Sequence, residues 1–296
     1  MRIDFEDATP RHNGIKIGTI VILVILFIGL FGLLGMYYAK LYNFNLFGII
    51  KENYEEYIEE KKQDNLEEQL KNNLLLPQYT KNSKQAMQEI YNENTKIAYL
   101  TFDDGPSEPV TELILDVLKE QKIKATFFVV GANVNQYPEI VKRAYVEGHY
   151  IANHGYSHNY DKIYKSAKSV LEEYNTTEKA IQKAIGIQEY SSHLFRFPGG
   201  YSGKSYSKIK KQAGSLLNKN NISYIDWNVL TGDAQGANTK EMILKNVKKY
   251  AKNKGNIVLL MHDSSSKILT YETLTEVINY LRSEGYTFNN FYNIMK

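Results

Sequence analysis

From residue 97 onward, short apolar runs alternate with segments of helical period, and this alternation constrains the fold more than any other feature of the chain. The runs are IAYLTF (97–102), ATFFVV (125–130), HYIAN (149–153), HLFRF (193–197), SYIDW (223–227) and NIVLLM (256–261). Between them lie stretches such as PVTELILDVLKEQ, where Val110, Leu113, Ile114, Val117 and Leu118 fall on one helical face. Pro138 stands where a first helical position favours it, and Gly148 and Gly186 read as C-terminal stops. Parallel strands need a crossover between them, so strand–helix alternation predicts a parallel sheet. About two hundred residues is slightly short for eight full βα units. The expected architecture is therefore an α/β fold, a distorted (β/α) barrel with about seven parallel strands over residues 96–296.

The chain ahead of this body has a different composition. No charge interrupts the run from Ile17 to Tyr37. At 1.5 Å per residue the run is long enough to cross a hydrocarbon layer of ~30 Å. A secretory signal has an apolar stretch of only ~7–15 residues, and no small-residue cleavage pattern follows at Met36–Lys40. A single transmembrane anchor over 17–38 is the expectation, with a fully buried core helix as the alternative. Arg2, Arg11 and Lys16 precede the run and Lys40 follows it, which predicts a cytoplasmic tail at 1–16 and an extracytoplasmic body in the cell membrane. Residues 39–95 read as a stalk. Within it Lys51–Asn73 carries eight acidic and four basic side chains, no Gly and no Pro, as a solvated helix would, and Pro77 closes it.

The formal charge of the whole chain is +3, too small to argue for nucleic acid, while the body from Lys96 to Lys296 carries +6. A mildly basic body suits an anionic polymer such as a cell-wall glycan; an ordinary solvated surface would look the same. With no Cys, a Cys-ligated metal, a Cys nucleophile and a disulfide scaffold are all excluded.

The polar residues of interest gather at the C-terminal ends of the expected strands, the edge where parallel α/β folds bind ligands. Asp103 and Asp104 follow the first strand, His154 the third and His262 the sixth, while Arg196 lies on the fourth. One of two adjacent carboxylates could ligate a cation while its neighbour acts as base; a helix cap and turn is the plainer reading. His154 and His158 are spaced to share one side of a helical turn, as a metal requires, and Asp104 would complete an N, N, O ligand set with room for water. Arg196 could clamp a carboxylate through two parallel hydrogen bonds, or form a surface ion pair. Trp227, the sole Trp, reads by itself as a core residue, and Asp233 as a loop Asx-turn. His262 ends a fully apolar strand. His149 and His193 fall at strand beginnings, on the opposite rim, and read as structural.

With these residues in view, the body resembles the polysaccharide deacetylases of carbohydrate esterase family 4, the NodB-homology domain, and most closely a membrane-anchored peptidoglycan N-acetylglucosamine deacetylase. Five ordered motifs carry the resemblance: Thr-Phe-Asp-Asp-Gly-Pro at 101–106, His154 with His158, Arg196 to Gly199, Asp233, and Leu260 with His262. The resemblance implies that Asp103 is the general base, and that Asp104, His154 and His158 hold one divalent metal. Zinc suits that donor set, and cobalt, nickel or manganese also fit it. It implies further that Arg196 orients Asp103, that the Gly199 N–H helps form an oxyanion hole, that Leu260 lines the acetyl pocket, and that Trp227 belongs to the substrate site. His262 would be the general acid, oriented by Asp233. Gly155 replaces the family's hydroxyl residue between the two His, and Ala234 replaces an aromatic that commonly follows Asp233.

The activity implied is removal of the N-acetyl group of a cell-wall amino sugar, releasing acetate. An O-deacetylase of a xylan-like polymer would use the same residues, and detection of a free amine or a free hydroxyl separates the two. Deacetylation of chitooligosaccharides or of N-acetylmuramic acid is a further alternative, as is a catalytically silent glycan-binding protein. The last would bind wall glycan and release no acetate.

Overall fold

The computed structural model describes residues 17–41, 51–58, 61 and 74–295. The expected cytoplasmic tail, and residues 42–50, 59–60 and 62–73 of the expected stalk, lie outside the described residues. Near the N-terminus a 25-residue helix, α1, runs over Ile17–Leu41. On its described part Leu26, Phe27, Ile28, Leu30, Phe31, Leu33 and Met36 are exposed. Among the described residues no helix is long and apolar enough to cross a membrane; the side chains described on α1 begin only at Leu26. Helix is also present at 51–58, at the start of the expected solvated stretch, where Lys51 pairs with Glu55 at 3.7 Å.

The body begins with α2 (Lys81–Glu89), whose N-terminus is closed reciprocally by Thr80 and Ser83. Residues 74–95 pack on the body. Met87 and Ile90 enter a buried cluster with Tyr99, Phe128, Val258 and Phe291, and the Gln78 N–H donates to the Met295 carbonyl at 2.9 Å.

Then follow β1 (Ile97–Asp103), α3 (Val110–Glu120), β2 (Thr126–Val129), α4 (Gly131–Gln136), α5 (Pro138–Val146) and β3 (Tyr150–Asn153). Next come α6 (Tyr160–Ile163), α7 (Ala167–Ile185), β4 (Leu194–Phe195), α8 (Ser207–Lys219), β5 (Ser223–Tyr224) and β6 (Val229–Leu230). The chain finishes with α9 (Lys240–Ala251), β7 (Ile257–His262), α10 (Ile268–Ser283) and β8 (Thr287–Asn289). Every strand pair is parallel, in the order β5-β4-β3-β2-β1-β7-β6. β7 takes one edge of β1, while β8 and β2 share the other, β8 against residues 97–99 and β2 against 101–103. No pairing joins β5 to β6, so the barrel is open on that side.

The strand alternation decides what faces inward. Ala98, Leu100 and Phe102 pack outward in a cluster with α3, whereas Tyr99 lies in the inner cluster with Phe128, Tyr150, Ala152, Leu194 and Val258. Period-2 geometry therefore sends Thr101 and Asp103, Leu260 and His262, and Arg196 to the inside as well. Phe291 plugs the inner cluster, stacking on Tyr99 at 5.2 Å between ring centroids. Six strand-like runs are recovered as strands. The expected runs at 193–197 and 223–227 shrink to two residues each, Leu194–Phe195 and Ser223–Tyr224. β6 and β8 are additional strands; β6 is two residues and β8 three, too short for an apolar period to register.

Candidate active site

Asp104 stands just beyond β1 with a left-handed φ of 76°. Its backbone carbonyl is held by Asn133 Nδ2 at 2.8 Å. Its Oδ1 lies 3.1 Å from His158 Nε2 and 3.5 Å from His154 Nε2. The three candidate ligand atoms all lie within 4.8 Å of one another. Asp104 Oδ1 is buried and has no hydrogen-bond partner of good geometry. A buried anionic oxygen facing two imidazole nitrogens is the arrangement a divalent cation satisfies, so these residues fit a metal.

The two imidazoles are not on a helical turn. Gly155, at φ 84°, and His158, at φ 49°, fold the segment into a loop that brings the rings together. The His154 Nδ1–H donates to the Arg196 carbonyl at 2.8 Å, leaving the Nε2 lone pair directed toward Asp104. Burial lowers the His154 pKa despite the nearby Asp103 and Asp104 carboxylates, which keeps the ring neutral and able to ligate. His158 is shifted the other way: burial opposes its charge, but contact with Asp104 outweighs it and raises the pKa. In Asp104 burial is likewise outweighed, by His158 and His154, and the carboxyl is held well below the usual range.

Asp103 is buried beside this triad, with Oδ2 at 3.9 Å from His154 Nε2. Its Oδ1 accepts from Arg196 Nη1 at 2.8 Å. The expected two-bond clamp is a single bond, because the guanidinium is shared. Arg196 also donates to Thr101 Oγ1 (2.7 Å), the Ile225 carbonyl (3.2 Å) and the Asp226 carbonyl (3.1 Å). Its plane covers Phe128 at 3.9 Å from the ring centroid. Fully buried and donating to four acceptors, it is no surface ion pair.

Across the mouth, His262 Nδ1 lies 2.9 Å from Asp233 Oδ1. Asp233 Oδ2 accepts from the His262 N–H and from Thr270 Oγ1, both at 2.8 Å. Burial disfavours the imidazolium, yet Asp233, with Asp103 and Asp104 behind it, raises His262 to about 9. Asp233 is lowered in turn; burial alone would raise it, and the His262 partner wins.

Gly199 and Gly200 have φ of 72° and 76°, and a Cβ on Gly199 would fall 2.8 Å from Tyr160 Oη. The Gly199 N–H has no acceptor among the described residues. Its loop is held by Asp226, whose two oxygens accept from the Tyr201 N–H (2.7 Å) and the Ser202 N–H (2.9 Å). Leu260 is buried two residues before His262, on the same face of β7. Trp227 is partly buried against the inner cluster, with Arg196 at 5.8 Å from its ring. Ala234 is exposed. His149 and His193 lie elsewhere, each with Nδ1 bonded to the backbone, as structural residues do.

The polysaccharide deacetylase family model matches residues 90–216. Over 215 residues, 71% of this chain and 74% of the relative, the sequence is 34% identical to a peptidoglycan N-acetylglucosamine deacetylase of Bacillus cereus. The chain belongs to the polysaccharide deacetylase family. A second relative, a peptidoglycan N-acetylmuramic acid deacetylase of Bacillus subtilis, is 31% identical over 204 residues, 69% of this chain and 73% of the relative. Among solved structures, a carbohydrate esterase family 4 esterase of Streptococcus mutans superposes with a TM-score of 0.64 at 32% identity, covering 72% of this chain and 92% of that one.

Thr101 is missed by sequence reasoning in this polysaccharide deacetylase, although its place two residues before Asp103 on the same face of β1 is a signal that could have found it. Thr270 and Asp263 carried no comparable signal. Asp263 is fully buried next to His262, and its Oδ2 accepts from Thr111 Oγ1 at 2.8 Å. Burial, reinforced by the charges of Asp104 and Asp103, pushes its carboxyl up to about 7.

Proposed function

We propose that this chain is a membrane-anchored, metal-dependent deacetylase of peptidoglycan N-acetylglucosamine. The observation that carries the chemistry is the convergence of Asp104, His154 and His158, with Oδ1 at 3.1 Å and 3.5 Å from the two Nε2 atoms. One divalent cation held by these three residues, zinc by its fit to the donor set, supplies Lewis acidity toward the acetamide carbonyl and a lowered pKa for water. Asp103, oriented by Arg196, takes the proton of the attacking water. The Gly199 N–H donates to the oxyanion of the tetrahedral intermediate. His262, charged through its bond to Asp233, donates the proton that the departing amine needs, since an unprotonated amine is a poor leaving group. Acetate and a glucosamine unit remain.

The substrate class is supported by the names of the relatives and by the basic body. The membrane reading is supported by the uncharged run from Ile17 to Tyr37, the helix over Ile17–Leu41 and the three basic residues ahead of it. It makes the body extracytoplasmic.

Incubating the full chain, purified in detergent, with muropeptides and zinc tests the activity. Mass spectrometry is expected to find acetyl loss on the glucosamine residue. Loss on the muramic residue would move the specificity to the neighbouring sugar, and no loss with tight glycan binding would leave a binding protein. Alkaline carbonate washing of membranes tests the anchor: the chain is expected to stay with the lipid, and release into the wash would overturn it.

A further inference from the structure

Gly155 offers no side chain to hold the loop between the two imidazoles, yet the loop is held. Glu173, on α7, reaches into it from the side. Its Oε2 accepts from the backbone N–H of Tyr156 at 2.6 Å and of Ser157 at 2.7 Å. Its Oε1 accepts from Ser157 Oγ at 2.8 Å. One carboxylate thus takes three donors, all from the residues between His154 and His158.

The bracing continues in both directions. Ser157 Oγ accepts from the Asn159 N–H at 3.2 Å, and Asn159 Oδ1 caps α6 through the N–H groups of Asp161 and Lys162. On the His154 side, Glu178 lies about one and a half turns along α7 from Glu173. It accepts from Asn153 Nδ2 at 2.9 Å, and Asn153 Oδ1 accepts the Gly155 N–H at 2.9 Å. A Cβ on Gly155 would meet Glu173 Oε2 at 3.6 Å, so the glycine and the carboxylate occupy adjoining space.

We propose that Glu173 is a positioning residue for the cation, fixing the separation of the two imidazole ligands. The inference rests on the reading of Asp104, His154 and His158 as a metal site. Glu173 touches no ligand atom of that site; it acts through the backbone of Tyr156 and Ser157. Charge-assisted bonds to backbone N–H groups are short and directional, and groups that orient metal ligands tune affinity by ~10–100-fold.

The test is calorimetric titration of zinc into the metal-free full chain in detergent, for wild type, E173Q, S157A and E172A. Glu172 is the exposed neighbour, paired only with Lys168 at 3.5 Å, and serves as the control. Wild type and E172A are expected to bind one zinc alike, E173Q ~10–100-fold more weakly, and S157A by a smaller factor because one donor of three is lost. At saturating cobalt, the visible band of E173Q is expected to shift, reporting altered ligand geometry. Unchanged affinity and an unchanged band in E173Q would overturn the proposal. So would loss of fold in E173Q by circular dichroism, which would make Glu173 a residue of the fold. Failure of wild type to bind zinc better than D104N would instead overturn the metal reading on which the proposal rests.

Discussion

Asp103 and His262 are register partners at the ends of the adjacent parallel strands β1 and β7, and both side chains turn to the inner face of the barrel. A carboxylate and an imidazole, the base and acid of the proposed reaction, thus enter one space from neighbouring strands, on backbone that cannot move independently. Each is anchored from behind by a residue of opposite charge, Arg196 for Asp103 and Asp233 for His262. Two proton-transfer groups held in this way act as a unit, so their losses should not add. H262A and D103N are each expected to reduce turnover by ~10²–10⁴, and the double variant by little more than the worse single. Acetate release under saturating substrate measures this; a fully multiplicative double loss would separate the two residues into independent steps.

Arg196 tests how far the site depends on one buried cation. The guanidinium donates to four different groups and covers the Phe128 ring. R196M should leave Asp103 buried without its counter-charge, at a cost of about 3–5 kcal/mol. R196K keeps the charge but cannot span four acceptors from one planar fork. Chemical denaturation of both variants is expected to rank wild type above R196K and R196K above R196M.

Much of this site was legible in the chain because its parts obey period 2. Residues 99, 101 and 103 of β1, and 258, 260 and 262 of β7, share a face, so apolar strands ending in Asp103 and His262 announce polar groups at a barrel mouth. The ligand trio was legible as residue types, but not its shape: the spacing of His154 and His158 suggested a helical turn, whereas Gly155 and His158 at positive φ form a loop. What sequence could not give are partners from distant segments. Thr270 lies 37 residues from Asp233 and Glu173 lies 17 from Tyr156, and only the folded packing of α10 and α7 brings them together. β6 escaped because a two-residue strand has no period to read.

Asp263 should make the metal-free protein lose stability as pH rises from mild acid to neutrality. Its folded pKa is raised from 3.8 to about 7. As pH rises from 3.8 toward 7, the unfolded chain gives up this proton while the folded chain retains it. The folded state then binds more protons, and this group's contribution to stability falls with pH. D263N, an uncharged near-isostere, should remove that slope. Thermal melts of the metal-free wild type and D263N between pH 4 and 7 are expected to converge at the acid end and diverge toward neutrality in favour of the variant.

The Asp233–His262 pair has a different pH signature. His262 is raised from 6.5 to about 9, so its stabilising contribution is complete below 6.5 and is lost as pH climbs through 9. Asp233 is lowered from 3.8, so its contribution is present above 3.8 and is lost as pH falls through its depressed folded value. In the proposed reaction the same pair sets the alkaline limb, because His262 must carry a proton to release the amine. D233N removes the carboxylate that holds the proton and leaves burial opposed only by the charges of Asp103 and Asp104, which lowers the His262 pKa. The alkaline limb of kcat is therefore expected to move to lower pH in D233N, with the maximum rate reduced. A cation at Asp104 lowers His262 in both proteins, so the direction of the difference is retained. Profiles of kcat from pH 5 to 10 for wild type and D233N measure it; coincident alkaline limbs would show that another group donates the proton.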